Sequence, residues 1–386
     1  MRISVVYAGR INDLNGASKV VQQFQINLDT FKQNGIMVND VFALDEHLNN
    51  DDKKPNTLRV LFRLMNRLLR KTYLGSILSY YITINKNATK VIQKYLKANS
   101  HDDVVIFHEL FSCYQYIKNS NHQKNKAKII VVHHTNGEMW KMLYTDYPLM
   151  VDSKFSNHLN RMAGRILDSV SAVVLVSERS RETFCIENKN YAYKAITIAN
   201  GIEPRIKSPN REFVSLKMIT VGTICRRKNQ IAIIHALQAI EDKSITLTLV
   251  GLGDQLSECI AYVKDNNMGQ QVFFLGNRSD VPEILDKHNL FIMTSFDEGL
   301  PIAGIEALRS SLPLIITDVG GNSELINQNG VLIKPEENQI VNAINGLNGN
   351  PSLLQKMSDK SRELFERKYS SQVMIQKYSD LINKKI

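Results

Sequence analysis

Short runs of β-forming residues alternate with amphipathic segments along most of the chain. The gaps between the runs hold helical patterns of ten or more residues, for example at 20–35, 229–242 and 255–268. Strands that alternate with helices are typical of parallel sheets covered on both faces. Strands are predicted at 2–8, 104–109, 128–134, 171–177, 195–200, 215–222, 244–251, 271–276, 290–295, 312–317 and 330–334.

A polar stretch, GIEPRIKSPNREF, interrupts this series near residue 205. With 386 residues the chain also exceeds the size at which a single hydrophobic core stops growing. We therefore predict an α/β fold of two Rossmann-like, doubly wound domains, 1–205 and 206–369, with ligands bound outside the carboxyl ends of the strands. The final segments, 351–369 and 370–385, predict two helices with a break near Ser370.

Composition narrows the class of protein. Hydrophobic residues make up 43% and charged residues 22% of the chain, as in globular proteins. The four cysteines are far apart and have no neighbouring His ligands, which argues against a disulfide framework and against structural zinc. No apolar run reaches the roughly 18 residues needed to cross a bilayer. The expected location is the cytoplasm.

The net charge of +10 lies in one half of the chain. Residues 1–200 contain 27 Lys and Arg against 17 Asp and Glu, whereas residues 201–386 contain 21 of each. The segment LRVLFRLMNRLLRKTY, residues 58–73, has an apolar side formed by Leu58, Leu61, Phe62, Met65, Leu68 and Leu69. It is predicted to be an amphipathic helix. Its basic residues are Arg59, Arg63, Arg67, Arg70 and Lys71.

This basic helix has three interpretations. Its apolar side packs on its own domain while the arginines are solvated, or the helix rests on an anionic membrane surface. The third interpretation is nucleic acid binding, which is disfavoured because exposed aromatics and known nucleic-acid motifs are absent from the sequence pattern.

Two carboxylates stand out in DEGLPIAGIE. On one helix, Glu298 and Glu306 would be about 12 Å apart along the axis, too far to share a proton. A loop after the strand at 290–295 is predicted to carry Glu298, and Pro301 opens a helix that contains Glu306. The free N–H groups of that helix start favour an anion or a sugar hydroxyl. Gly320 and Gly321, one strand later, permit a close backbone approach.

The segment from Asp297 to Ile326 resembles the EX7E region of retaining GT-B glycosyltransferases of family 4. The resemblance implies a GT-B architecture, in which two Rossmann-like domains face a cleft and the C-terminal helix, 370–386, crosses back to the first domain. It also implies transfer of a sugar from a nucleotide sugar with retention of the anomeric configuration. Supporting matches follow in order at 15–21, 131–137, 173–178, 198–203, 221–230, 249–255, 272–281 and 329–335.

The resemblance assigns roles to single residues. Glu306 matches the residue that holds the ribose hydroxyls, Glu298 lies by the donor sugar, and Lys228 matches the cation on the diphosphate. Thr223 stands where the family usually has an arginine, so Arg226 or Arg227 is expected to compensate. The implied nucleotide-sugar site comprises Asn15, Gly16, Arg226, Arg227, Lys228, Asn277, Glu298, Gly299, Leu300 and Glu306.

His134 matches a histidine close to the reacting centre, where it would orient the acceptor hydroxyl or stabilise charge. The implied catalytic residues are thus His134, Glu298 and Lys228. His133 should point to the other face of its strand and be structural. At the start of the first helix, Asn15 replaces a commoner glycine and is expected to tolerate a left-handed turn there.

Two mechanisms would give retention. In one, the acceptor attacks from the side of the leaving group and a β-phosphate oxygen takes its proton; the other passes through a glycosyl-enzyme intermediate. We favour the first. No DxD placement marks a metal site, so neither a metal nor another cofactor is expected.

The basic first domain suggests an anionic partner. With the resemblance, it predicts a UDP-sugar donor and a lipid-linked saccharide acceptor at the inner face of a bacterial membrane, for capsule, O-antigen or exopolysaccharide synthesis. Two alternatives remain open: a non-catalytic GT-B subunit, which the loss of an arginine at Thr223 would suit, and a sugar-nucleotide epimerase of the same fold.

Overall fold

A computed structural model describes residues 1–13, 15–45, 57–98, 101–119, 127–205 and 211–384. The side chains of residues 57–60 and 63 lie outside the description. The chain divides into two compact units. Unit 1 comprises Met1–Ile198 and Ile375–Ile386, and unit 2 comprises Ala199–Met374.

Unit 1 is built on a parallel sheet of six strands in the order β2-β1-β3-β4-β5-β6. The strands are β1 Arg2–Val6, β2 Met37–Phe42, β3 Val104–Phe107, β4 Lys128–His133, β5 Ala172–Leu175 and β6 Ala195–Thr197. The helices are α1 Gly16–Ile26, α2 Leu28–Gln33, α3 Thr57–Leu69, α4 Tyr73–Tyr80, α5 Lys86–Ala98, α6 Leu110–Asn119, α7 Lys141–Asp146, α8 Lys154–Ser169 and α9 Glu178–Glu187. A π-helical segment, Tyr81–Asn85, joins α4 to α5, and short 3₁₀ helices occupy Pro148–Met150 and Lys189–Lys194.

Two local features of unit 1 differ from the sequence-based expectation. Strand β2 was not predicted, because MVNDVF places Asn39 and Asp40 in an edge strand that is only half buried. The helix predicted at 20–35 is two helices, which separate at Asn27, where the backbone leaves the helical region. The central strands β3 and β5 are buried along their whole length, and they read as continuous apolar runs.

Unit 2 contains a second parallel sheet of six strands, in the order β12-β11-β10-β7-β8-β9. The strands are β7 Lys217–Val221, β8 Thr246–Val250, β9 Val272–Phe274, β10 Leu290–Met293, β11 Leu314–Thr317 and β12 Gly330–Ile333. The helices are α10 Gln230–Ala239, α11 Leu256–Asp265, α12 Val281–Asp286, α13 Ile302–Arg309, α14 Glu337–Leu347 and α15 Pro351–Leu364. A 3₁₀ helix spans Gly320–Leu325, and a π-helical segment, Phe365–Tyr369, follows α15. Two doubly wound sheets confirm the predicted fold class.

The predicted break at Ser370 is also confirmed. Ser370 has an extended backbone (φ −72°, ψ 151°) between the π-helical segment and the last helix, α16 Ser371–Lys384. From Ile375 onward this helix belongs to unit 1, where Tyr378 packs edge-on against Phe24 with ring centroids 5.2 Å apart. The chain therefore returns to the first unit, as the fold class implies.

Each sheet has a point where the strand order reverses. In unit 2 this switch point lies between β7 and β10, and in unit 1 it lies between β1 and β3. In doubly wound sheets, ligands bind outside the carboxyl ends of the strands at such points, because the following loops diverge there. A ligand-binding site is therefore expected in the loops after these four strands.

Candidate functional site

The switch point of unit 2 brings Glu298 against two cations. Lys228 Nζ, in the loop after β7, lies 2.5 Å from Oε1 of Glu298, in the loop after β10. The Arg227 Nη1 atom lies 3.3 Å from the same oxygen. The side chains of Glu298 and Lys228 are 7% and 13% exposed, and that of Arg227 is 33% exposed. The ion cluster thus consists of three residues of the predicted donor site, with Arg227 at its exposed side.

Backbone contacts hold these two loops together. The amide of Phe296 donates to the carbonyl of Arg227 (2.8 Å), and the Arg227 guanidinium donates to the carbonyl of Asp297 (2.6 Å). The hydroxyl of Thr294 donates to the carbonyl of Asn229 (2.8 Å). Asn229 has a left-handed backbone (φ 54°) just before α10, which ends the loop sharply. The positions of Lys228 and Glu298 are thus fixed by the backbone and not only by their own attraction.

The backbone of Gly320 packs directly against the backbone of Glu298. A Cβ atom at Gly320 would lie 1.6 Å from the carbonyl oxygen of Glu298, and the backbone of Gly320 is left-handed (φ 49°). The amide of Gly321 donates to the carbonyl of Gly299 (2.8 Å). The close backbone approach expected for these two glycines is therefore directed at the loop that carries Glu298.

The charge state of Glu298 follows from two opposed effects. Burial raises the pKa of its carboxyl, but the neighbouring charges of Lys228 and Arg227 more than offset this, and the pKa is lowered overall. Glu298 is therefore an ionised carboxylate at neutral pH. Both cations approach the same oxygen of this carboxylate, Oε1.

The second carboxylate, Glu306, lies within α13, which begins at Ile302 directly after Pro301. Glu306 is buried, and so is Leu300 in the preceding loop. Glu298 and Glu306 thus lie on a loop and on a helix, as predicted. The carbonyl of Leu300 accepts from the side chain of Asn200, which ties this loop to the start of unit 2.

Other predicted donor-site residues lie on the surface of unit 2. Thr223, Arg226 and Asn277 are exposed, and the carbonyl of Thr223 accepts from Gln230. Of the two arginines expected to compensate for Thr223, the structure brings Arg227 to Glu298 and leaves Arg226 in solvent.

Unit 1 carries a pair of histidines at the ends of adjacent strands. Nδ1 of His108, after β3, lies 3.0 Å from Nε2 of His134, after β4. His133 is buried and contacts the hydroxyl of Thr135 at 2.9 Å, consistent with the structural role expected for it. His108 was missed in the sequence, although its place in VVIFHE, at the carboxyl end of a switch-point strand, was a usable signal.

Asn15 differs from its predicted geometry. Its backbone is extended (φ −79°, ψ 161°), so the expectation of a left-handed turn is wrong. The reason is that Asn15 caps α1: its side-chain oxygen accepts from the amide of Ser18 at 2.9 Å. The predicted neighbour Gly16 is the first residue of this helix.

The predicted basic helix is α3, and most of its described apolar side is exposed. Leu61, Phe62, Met65 and Leu68 of that side are exposed, Leu68 to 63%, and so is Leu64, whereas Leu69 is half-buried. The interpretation in which this side packs on its own domain is therefore wrong for the exposed residues. Helix α4 packs against α3 and adds exposed Leu74 and Leu78. These seven exposed residues are called the α3–α4 apolar surface below.

The basic residues of the predicted helix have different surroundings, and two of them, Arg70 and Lys71, lie in the turn after α3. Arg67 and Lys71 are exposed, whereas the side chains of Arg59 and Arg63 lie outside the described residues. Arg70 is not solvated like Arg67 and Lys71. Its guanidinium lies 4.4 Å from the ring centroid of Tyr147 and donates to the Tyr147 hydroxyl (3.1 Å). This contact anchors the end of the helix.

No cluster of three or more His, Cys, Asp or Glu suited to a metal ion occurs in the described part of the chain. Among the helices that the structure describes, none has the length and apolar character to cross a membrane.

Residues 205–364 match the family model of glycosyl transferases group 1. This region contains the ion cluster around Glu298, Lys228 and Arg227, as well as Glu306.

Two curated relatives, both from Escherichia coli, are similar over part of the chain. The O-antigen biosynthesis glycosyltransferase WbnH is 28% identical over 177 residues, which are 46% of this chain and 50% of the relative. A UDP-Gal:alpha-D-GlcNAc-diphosphoundecaprenol alpha-1,3-galactosyltransferase is 31% identical over 134 residues, 33% of this chain and 34% of the relative. The chain thus matches about half the length of the first relative and about a third of the second.

A solved structure shares the whole fold. A mutant of TarM from S. aureus, crystallised with fondaparinux, alpha-GlcNAc-glycerol and UDP, aligns over 100% of both chains with a TM-score of 0.69 and 15% sequence identity. At this identity the likeness establishes the architecture of paired Rossmann-like units.

Proposed function

We propose that this chain is a retaining glycosyltransferase that moves a hexosyl group from a UDP-sugar to a saccharide acceptor. The observation that carries the proposal is the buried Glu298 between Lys228 and Arg227, at the switch point of the unit that matches the glycosyl transferase family. A carboxylate suits sugar hydroxyls and two fixed cations suit a diphosphate, so one cluster has both chemistries that a nucleotide sugar requires.

Donor binding would exchange partners within this cluster. In the structure, Lys228 and Arg227 neutralise Glu298. A diphosphate carries more charge than one carboxylate, so it would draw the two cations toward its oxygens and leave Glu298 to accept hydroxyls of the sugar. Glu306, on α13, would hold the ribose. The cations would also stabilise the charge that develops on the leaving nucleotide.

We also propose that catalysis is independent of metal ions, on the basis of the same residues. Lys228 and Arg227 supply the positive charge that a divalent cation provides to the diphosphate in other sugar transferases. Arg227 also bears on the alternative of a non-catalytic subunit, which the loss of an arginine at Thr223 had kept open. A second cation beside Glu298 supports the expected compensation for Thr223 and favours the catalytic role.

The names of two relatives support retention and a lipid-linked acceptor, and the positive charge of residues 1–200 fits an anionic acceptor. One relative is named for an alpha-1,3 transfer from UDP-Gal to a diphosphoundecaprenol-linked sugar, and another for O-antigen biosynthesis. We propose the same class of reaction here: extension of a lipid-linked saccharide in bacterial surface polysaccharide synthesis, in the cytoplasm at the inner face of the membrane. Retention would proceed by attack from the leaving-group side.

The α3–α4 apolar surface is proposed to rest on an anionic bilayer. Arg67 and Lys71 flank its exposed apolar residues, and no Asp or Glu occurs from residue 53 to residue 101. Exposed apolar side chains beside positive charge fit an anionic lipid surface, where apolar burial and charge attraction act together.

Vesicle flotation tests this surface. The double variant Arg67→Glu/Lys71→Glu should bind phosphatidylglycerol-containing vesicles about 30-fold less tightly, since each basic residue contributes about 1 kcal/mol. Arg161→Glu/Arg165→Glu is the matched control, because these exposed residues have the same spacing on α8 of the same unit. Arg70 is left intact because it packs on Tyr147. Equal loss in both variants would mean that only net charge matters and would refute a docking surface.

Nucleotide binding tests the function itself. In a thermal-shift panel of UDP, GDP, ADP and their sugars, the uridine compounds should give the largest rise in Tm. A ligand at 100 times its Kd adds about 2.7 kcal/mol, or roughly 5 to 10 °C for a unit of under 200 residues. A panel without any shift would refute the transferase proposal, and binding without turnover would favour a non-catalytic subunit.

A further inference from the structure

The contact between His108 and His134 is a hydrogen bond between two imidazoles. Nδ1 of His108 and Nε2 of His134 are 3.0 Å apart, and the ring planes are 22° from parallel. The strands β3 and β4 that end at these residues are hydrogen-bonded neighbours, which fixes the distance between them. One nitrogen of the pair must carry the proton and the other must accept it.

Both rings are neutral at pH 7. Burial lowers the pKa of His134 to about 4, with a further contribution from His133, and burial holds the pKa of His108 well below its usual range. No described carboxylate is available to the pair. Glu109, next to His108, instead accepts from the amides of Phe111 and Ser112 and from the Ser112 hydroxyl.

The buried surroundings of His108 decide where its proton lies. Its Nε2 atom is buried and has no hydrogen-bond partner among the described residues, and the edge of Phe24 packs against the ring. A buried N–H without a partner is rarer in proteins than an unsatisfied acceptor. The proton of His108 therefore belongs on Nδ1, from which it is donated to Nε2 of His134.

We propose that His108 is a positioning residue that fixes His134 in the Nδ1–H tautomer. His134 Nε2 is then occupied as an acceptor, and the one proton of this neutral ring is on Nδ1, which has no protein partner among the described residues. His134 would thus present an N–H to its ligand. Through that N–H it would donate a hydrogen bond to a ligand oxygen and would not act as a general base.

This inference rests on the proposed transferase function and specifies which groups hold the protons during the reaction. In the proposed reaction, the bond from the anomeric carbon to the acceptor oxygen forms as the bond to the phosphate oxygen breaks. The acceptor hydroxyl proton passes to an oxygen of the departing diphosphate. His134 keeps its own proton throughout and stabilises charge as a neutral donor.

Nitrogen NMR of the imidazole rings tests the tautomer without any substrate. In the wild type at pH 7, His134 should show a protonated Nδ1 and an unprotonated Nε2. In His108→Leu the donor is lost, and His134 should revert to the Nε2–H tautomer that a free imidazole side chain prefers. In His108→Asn an amide N–H stands near the position of Nδ1, so the wild-type tautomer should be kept.

Kinetics of the same two variants separate positioning from a purely structural role. His108→Leu should lower kcat by about 10- to 100-fold, by analogy with residues that orient a metal-bound histidine, with little change in donor KM. His108→Asn should restore most of kcat. A wild-type His134 protonated on Nε2 would overturn the inference, and so would equal kcat in the two variants at equal Tm. Because the NMR result needs no turnover, it remains decisive even if the transferase proposal fails.

Discussion

Lys228→Ala should lower kcat/KM for the nucleotide-sugar donor by about 10²- to 10³-fold, the loss typical for removal of one group that stabilises transition-state charge. Lys228 Nζ lies 2.5 Å from Glu298 in a site with little water, where a cation acts more strongly than in solvent. The loss should appear mainly in kcat, because negative charge on the diphosphate grows as the sugar departs. Steady-state kinetics with a UDP-sugar measure this effect.

The control for this substitution is Lys217→Ala. Lys217 begins the same strand, β7, at its opposite end, and its side chain is exposed. It should leave kcat/KM unchanged. The Tm of Lys228→Ala must be measured as well, because removing one partner from a buried ion cluster destabilises a protein, although Arg227 remains beside Glu298. Equal kinetics for the two alanine variants would contradict the proposed role of Lys228.

Gly320→Ala should displace the Glu298 loop and weaken UDP binding sharply. The new Cβ would lie 1.6 Å from the carbonyl oxygen of Glu298, and backbone cannot give way as a flexible side chain can. The left-handed conformation adds about 1 to 2 kcal/mol for any residue with a Cβ. The expected result is a large fall in Tm together with loss of the UDP-induced shift.

Gly349→Ala separates the effect of the steric clash from the effect of the left-handed backbone. Gly349 is also left-handed (φ 73°) and belongs to the same unit, but nothing lies within 4 Å of the added Cβ. Gly349→Ala should therefore lose only the stability that a left-handed residue with a Cβ costs, and it should still bind UDP. If Gly320→Ala were no less stable than Gly349→Ala and bound UDP normally, the support that Gly320 gives to the Glu298 loop would be irrelevant to the site.

Much of the fold was predictable because central strands of parallel sheets are buried on both faces. Such strands read as continuous apolar runs, as VVIF of β3 does. Strand β2 escaped prediction because an edge strand with Asn39 and Asp40 lacks that signature. The helix break at Asn27 was missed because the apolar pattern continues through it. The predicted series of strands was otherwise recovered in order.

The candidate site was predictable only in part. The resemblance named Glu298 and Lys228, but their contact depends on loops 70 residues apart that meet because β7 and β10 are neighbours. A helical pattern could not reveal that Arg70 packs on Tyr147, which is distant in sequence. The cap at Asn15 was open to prediction, since Asn is a favoured residue before a helix.

A crystal structure of the protein with UDP would show directly which residues bind the nucleotide. We expect the diphosphate within hydrogen-bond distance of Lys228 Nζ, the ribose hydroxyls on the carboxylate of Glu306, and Glu298 separated from at least one of the two cations that now contact it. UDP bound elsewhere, or the contact between Lys228 and Glu298 unchanged beside a bound nucleotide, would contradict this expectation.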